Sequence, residues 1–166
     1  KIKVVDTNIG DFICSVFTER PYSFKSSAAH KNTDQIADIY TNQFGVKENL
    51  NAKQLTIYTK NILRKEVYNP EALITGANFL ISNTGSIVFT ENEGNILKST
   101  SFAPIHIIVA GIDKMITSID ELSVLLPLSS LYDNNKNISS LYSIINSPSS
   151  NEDKVQNLYL ILLNNN

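Results

Sequence analysis

Residues Ile105 to Ala110 form an apolar run broken only by His106. Such a run, without polar alternation, is the mark of a strand covered on both faces, and strands of that kind sit inside largely parallel sheets. The rest of the chain fits the same architecture. Ser86–Thr90, Leu141–Ile145 and Leu158–Leu163 are further β runs. Helix signals lie between and before them. Asn32 with Gln35 and Asn51 with Gln54 are capping-box pairs ahead of apolar stripes at helical spacing, and Gly45 stands where a C-cap glycine would stop the first. Ser118 with Glu121 repeats the signal before Leu122, Leu125 and Leu126, with Ile119 on the same face and Pro127 where that helix should end or kink. Asn69-Pro70-Glu71 reads as the opening of another short helix. At the start, Ile2–Val5 and Phe12–Phe17 read as strands around an Asn8–Asp11 turn. Strands alternating with helices predict an α/β fold, with a largely parallel central sheet flanked by helices.

Length and composition narrow the function. At 166 residues the chain is long enough to bury a core without a disulfide or metal staple. A net charge of −2 excludes the basic footprint of a nucleic-acid binder. The single cysteine, Cys14, excludes an internal disulfide, a zinc knuckle and an iron–sulfur cluster held by this chain alone, which needs about four thiolates. No metal site is expected. The longest apolar stretch is far short of the roughly 20 residues of a membrane span, and no leader is visible, so cytoplasm is the expected location. The chain begins with Lys1 and ends in Asn164-Asn165-Asn166 directly after an apolar strand, which reads as a piece of a longer polypeptide.

Special residues are densest between Leu73 and His106. The pattern there reads as a helix from about Leu73, a tight turn at Thr84-Gly85, a strand, then a polar loop, Glu91-Asn92-Glu93-Gly94-Asn95. Loops after parallel strands are where open α/β sheets place their ligands. Glu93 is a candidate general base or ligand-binding carboxylate, against the plain reading of a solvated loop acid. Asn92 and Asn95 offer amide donors to a carboxylate or phosphate, or simply form turns. Thr84, Gly85 and Ser86 would lie beneath the loop and could cradle an anion. Gly76, read as helical, would mark close packing or ligand approach. His106 is either a functional strand-end histidine or a hydrogen-bonded core one. His30 reads as structural or surface, and Cys14 as a small buried hydrophobe. No P-loop, dinucleotide fingerprint or nucleophile elbow is present in the sequence.

The ordered string Thr75-Gly76-Ala77-Asn78-Phe79, Thr84-Gly85-Ser86, Thr90-Glu91-Asn92-Glu93-Gly94-Asn95, Pro104-Ile105-His106-Ile107 and Gly111-Ile112-Asp113-Lys114 resembles the LUD (lactate utilisation) domain family, nearest to the iron–sulfur member of the lactate-utilisation system. Val4-Val5-Asp6-Thr7, Gly10-Asp11-Phe12-Ile13 and Ala29-His30-Lys31 extend the resemblance over nearly the whole chain. It implies a fold similar to the ribose-phosphate isomerase and CoA-transferase type. It also implies a role with other lactate-utilisation subunits in oxidising L-lactate to pyruvate, a small carboxylate substrate. Electrons would pass through [4Fe–4S] clusters on a C-terminal region outside this chain, which itself binds no cofactor; residues 1–166 would be the LUD domain without the family's N-terminal part. The resemblance makes Glu93 and His106 the catalytic candidates. Gly76, Asn78, Thr84, Gly85, Ser86, Glu91, Asn92, Gly94 and Asn95 are then the ligand-binding ones. Where the family carries an acid before Thr-Gly this chain has Asn83, and several family loop glycines are replaced. Two alternatives therefore stand beside this reading: a non-catalytic scaffold or interaction module, and a stand-alone isomerase- or CoA-transferase-like enzyme using Glu93.

Overall fold

The computed structural model describes residues 2–23, 27–46, 50–67, 70–91, 94–134, 141–146 and 157–164. It divides into two compact units, Lys1–Val67 and Tyr68–Asn166.

The first unit is helical: α1 (Ile9–Val16), α2 (Thr33–Phe44) and α3 (Ala52–Val67). Two helix starts are the capping boxes expected. Asn32 Oδ1 accepts from Gln35 N while Gln35 Oε1 accepts from Asn32 N, and Asn51 with Gln54 does the same. Gly45 ends α2 at φ +67°, a left-handed conformation that only glycine adopts without strain. Ile13, Tyr40 and Leu55, one from each helix, form the core. Tyr40 also hydrogen-bonds Thr59 Oγ1 at 2.7 Å.

The start of the chain departs from expectation. Ile2–Val5 pairs with no strand, and Ile2 and Val4 are exposed. Phe12–Phe17 is not a strand: Phe12–Val16 is most of α1 and Phe17 is its C-cap. A six-residue apolar run suits either state. Here Asn8 tips the balance, because its side-chain oxygen accepts from Gly10 N and Asp11 N and so caps a helix.

The second unit holds two sheets. β1 (Leu73–Thr75), β4 (Ile105–Gly111) and β7 (Asn157–Leu163) form a parallel sheet in the order β1-β4-β7. β2 (Phe79–Ile81), β3 (Ser86–Glu91), β5 (Met115–Ile116) and β6 (Leu141–Ile145) form a mixed sheet in the order β5-β2-β3-β6, in which β3 is antiparallel to both neighbours. α4 (Asn95–Phe102) links β3 to β4, and α5 (Leu122–Asn134) follows a 3-10 turn at Ile119–Glu121. The α/β class, the parallel sheet and the flanking helices are as expected; the second sheet is new.

Alternation along β2, β3 and β4 builds the layers. Leu80, Ile87 and Phe89 of the mixed sheet meet Ile108 and Ala110 of the parallel sheet, with Ala77 and Ile96 packed against them. Ile81 and Val88, on the opposite face of the mixed sheet, pack on Leu122 and Leu126 of α5. Each fully buried Phe or Ile contributes roughly 1.5–3 kcal/mol.

Further expectations are corrected. Leu73–Ile81 is not a helix but β1 and β2, separated by Gly76-Ala77-Asn78. No helix opens at Pro70-Glu71, and Asn69 lies outside the described residues. β4 is not sealed on both faces: buried His106, Ile108 and Ala110 alternate with half-buried neighbours. α5 starts from the Ser118–Glu121 capping box as read, but it runs through Pro127, and Ile119 is exposed. No helix among the described residues is long and apolar enough to cross a membrane.

Candidate functional site

The structure gathers some of the candidate residues where β1, β3 and α4 meet. Asn78 joins the end of β3 twice. Its backbone N–H donates to Val88 O at 2.9 Å, and its Oδ1 accepts from Thr90 N at 2.8 Å. Asn78 thereby continues the ladder at the point where the chain leaves the parallel sheet for the mixed one.

The next residue along β3, Glu91, turns its carboxylate onto α4. Oε2 accepts from Ile96 N at 2.7 Å and Oε1 from Leu97 N at 2.9 Å. Gly94 holds the N-cap position at φ +68° and supplies no side-chain cap. Glu91 fills that role from outside the helix, placing negative charge at its positive end. Asn95 is the first residue of α4 and half-buried. Gly76 follows β1; a Cβ there would meet only Val109 O at 3.9 Å, an ordinary contact, so crowding does not explain the glycine. Asn92 and Glu93 lie outside the described residues.

Thr84, Gly85 and Ser86 are not beneath this loop. They form the β2–β3 turn, at the opposite end of β3. Gly85, at φ +70°, donates from its N–H to Ile81 O at 2.8 Å, and the Thr84 and Ser86 hydroxyls bond each other at 2.6 Å. Five residue steps along β3 run from Ser86 to Glu91, roughly 16 Å at about 3.3 Å per residue. The expectation of one continuous crest is therefore corrected. The rule about ligand loops also misses here, because β3 belongs to the mixed sheet.

His106 is fully buried. Its Nε2 lies 2.8 Å from Thr75 Oγ1, and its ring stacks on Phe89 at 5.9 Å between centroids. Burial pulls its pKa from 6.5 down to about 4, so the ring is neutral near pH 7. Nδ1 has no hydrogen-bond partner, and the same holds for the buried hydroxyls of Ser99 and Ser143. The geometry is that of a core histidine holding Thr75. Thr75 is not among the residues the sequence marks as a site, because nothing local marks a residue whose partner is on another strand.

The helical unit carries a second polar cluster. Glu19 accepts from Lys31 Nζ at 2.6 Å and lies 2.8 Å from His30 Nε2. Lys31 and then His30 hold its carboxyl below the usual glutamate range. Lys31 Nζ also sits 4.4 Å over the Phe17 ring. Cys14 is buried, with Sγ donating to Ser27 O at 3.2 Å, and burial followed by the Asp11 and Glu19 charges pushes its thiol pKa up. That is an inert thiol, as the sequence suggested. A cleft of about 490 Å³ opens beside it, lined by Asp11, Pro21, Tyr22, Ser23 and Ser27. Among the described residues, no group of three or more His, Cys, Asp or Glu side chains is placed to hold a metal ion.

Comparison with known proteins gives the family. The LUD domain profile matches residues 1–160, spanning both units. Lactate utilization protein B of Bacillus cytotoxicus is 33% identical over 126 residues, covering 76% of this chain and 27% of that protein. Its namesake from a Geobacillus species is 28% identical over 166 residues, covering 98% of this chain and 35% of that protein. The chain thus spans about a quarter to a third of the length of these relatives. A crystal structure of a DUF162 family protein from Deinococcus radiodurans aligns at a TM-score of 0.44 and 16% identity, over 68% of this chain and 69% of that one. With the profile match covering nearly every residue, the chain belongs to the LUD domain family.

Proposed function

We propose that the chain is the LUD domain of a lactate-utilisation component, working in the cytoplasm with other lactate-utilisation subunits to oxidise L-lactate to pyruvate. That reaction releases two electrons and two protons per lactate. The observation that carries the reading is the match to relatives named Lactate utilization protein B, over three quarters or more of this chain. The electrons would pass to [4Fe–4S] clusters, which these residues do not fit. The chain has one cysteine, and its sulfur is buried against Ser27 O. Any cluster is therefore carried by other polypeptide.

Within this reading, Asn78 and Glu91 set the frame. They tie the end of β3 to the link between β1 and β2 and to α4, and in the sequence Asn92 and Glu93 lie between Glu91 and α4. The experiment is genetic. In the source organism, deleting the gene should abolish growth on L-lactate while sparing growth on glucose. Restoring it with Glu93→Gln should leave lactate oxidation impaired. Normal growth of the deletion strain on L-lactate would overturn the proposal.

One observation favours a second reading, a non-catalytic scaffold. The polar groups of Asn78 and Glu91 are engaged in the fold's own hydrogen bonds. On that reading, Glu93→Gln and Asn92→Ala leave both complex assembly and growth on lactate unchanged.

A further inference from the structure

We propose that the chain forms a two-fold dimer by pairing β7 with β7 of a second copy, independently of the function proposed above. β7 is the last strand in the order β1-β4-β7, and among the described residues only β4 pairs with it. In a parallel ladder the N–H and C=O of one residue point to the same side, and successive residues alternate. Asn157 N donates to Pro104 O at 3.2 Å, on the β4 side. Asn157, Tyr159, Ile161 and Leu163 therefore spend their backbone groups on β4, and Leu158, Leu160 and Leu162 turn theirs to the open edge. Such a row invites another strand, and proteins usually blunt it with a charge, a proline or a bulge. Here nothing does. No residue from Val155 to Asn166 is charged, none is Pro or Gly, and the register with β4 runs unbroken from Asn157 to Leu163. Tyr159, Leu160, Ile161, Leu162 and Leu163 are each between 43% and 54% exposed, so both faces of the strand remain open as well.

The occupant is a second copy because this edge is complementary to itself. With a two-fold axis at Leu160, antiparallel pairing sets Leu160 against the partner's Leu160 and Leu158 against the partner's Leu162. These are the residues whose backbone groups face outward, so each opposed pair exchanges both its bonds. The junction then holds about six main-chain hydrogen bonds, within the roughly 5–15 of a typical interface. Between them Tyr159 meets the partner's Ile161 at the closer, non-hydrogen-bonded spacing, and an aromatic against a β-branched side chain is a favourable cross-strand pair. The uncharged strand brings no like charges together across the axis. Assembly by this route stops at two copies. The edge left at either end of the joined sheet is β1, whose three residues are a poor template for another strand.

The test combines sedimentation velocity on the full chain over a dilution series with amide hydrogen exchange read by NMR. The mass should rise from one chain to two with concentration. The Leu158, Leu160 and Leu162 amides should exchange fast in the dilute monomer and become protected in the dimer. Leu160→Pro removes an N–H that the chain's own sheet does not use, a position where an edge strand tolerates proline. It should weaken association about tenfold or more while the far-UV circular dichroism is retained. Ile161→Lys acts through the side chain alone, should also weaken association, and keeps the test valid if Leu160→Pro perturbs folding. A monomer at every concentration, assembly beyond two copies, a dimer in which those three amides still exchange fast, or association unchanged in both variants overturns the proposal.

Discussion

The buried imidazole of His106 should make the second unit acid-sensitive in a window where carboxylates contribute little. Its pKa is about 4 in the folded protein, against 6.5 when exposed. The folded state therefore prefers the neutral ring. The associated stability is fully present above about pH 6.5 and is lost as the pH falls toward 4. Between about pH 7 and pH 5, the two pKa values give a loss of about 2 kcal/mol, and the complete loss approaches about 3 kcal/mol. That is a large share of a typical 5–15 kcal/mol total. The perturbation is His106→Leu, which removes the titrating group. Its own cost near pH 7, from leaving Thr75 without its partner, is separate from the pH slope. Urea unfolding followed by far-UV circular dichroism, at about pH 7 and about pH 5, measures both chains. Wild type should lose about 2 kcal/mol more than the variant over that interval. Equal losses, or a His106 NMR titration midpoint near 6.5, would refute the reasoning.

Three other changes probe the frame. Glu91→Gln keeps one oxygen but turns an amide NH2 toward a helix N–H, and should destabilise the second unit by about 1–2 kcal/mol in the same melts. Asn78→Ala strands the Thr90 N–H, at a cost of about 1–3 kcal/mol, and amide exchange should quicken at Thr90 before it does in β4. Lys31→Ala should raise the Glu19 pKa toward its ordinary value, read by carboxyl NMR. The Glu19 pairings stabilise the fold above the ordinary carboxylate range and are lost as the pH falls through the lowered value, and the variant, with only the His30 pairing left, should show less of that dependence.

The residues by themselves determined the local features. The capping boxes at Asn32, Asn51 and Ser118, the glycine stop at Gly45 and the turn at Gly85 are all set by groups within four residues of one another. The β runs at Ser86, Ile105, Leu141 and Leu158 were legible because turn and loop residues such as Gly85, Pro104 and Asn157 bound them, and the long ordered motif carried the family. Tertiary structure decided what depends on distant partners. Leu73–Thr75 is a strand only because β4, some thirty residues on, offers a ladder, and Phe12–Val16 is helical because Asn8 caps it and Tyr40 and Leu55 receive Ile13. The site followed the same division. The sequence showed a polar loop after Thr90, but it could not show that Glu91 would be taken up by the α4 N-terminus or that His106 would be sealed under Phe89. Nor could it show that the Thr84–Ser86 turn would stand a strand's length away. A side chain's chemistry is written in its own residue, whereas its exposure and its partner are settled only by what packs against it.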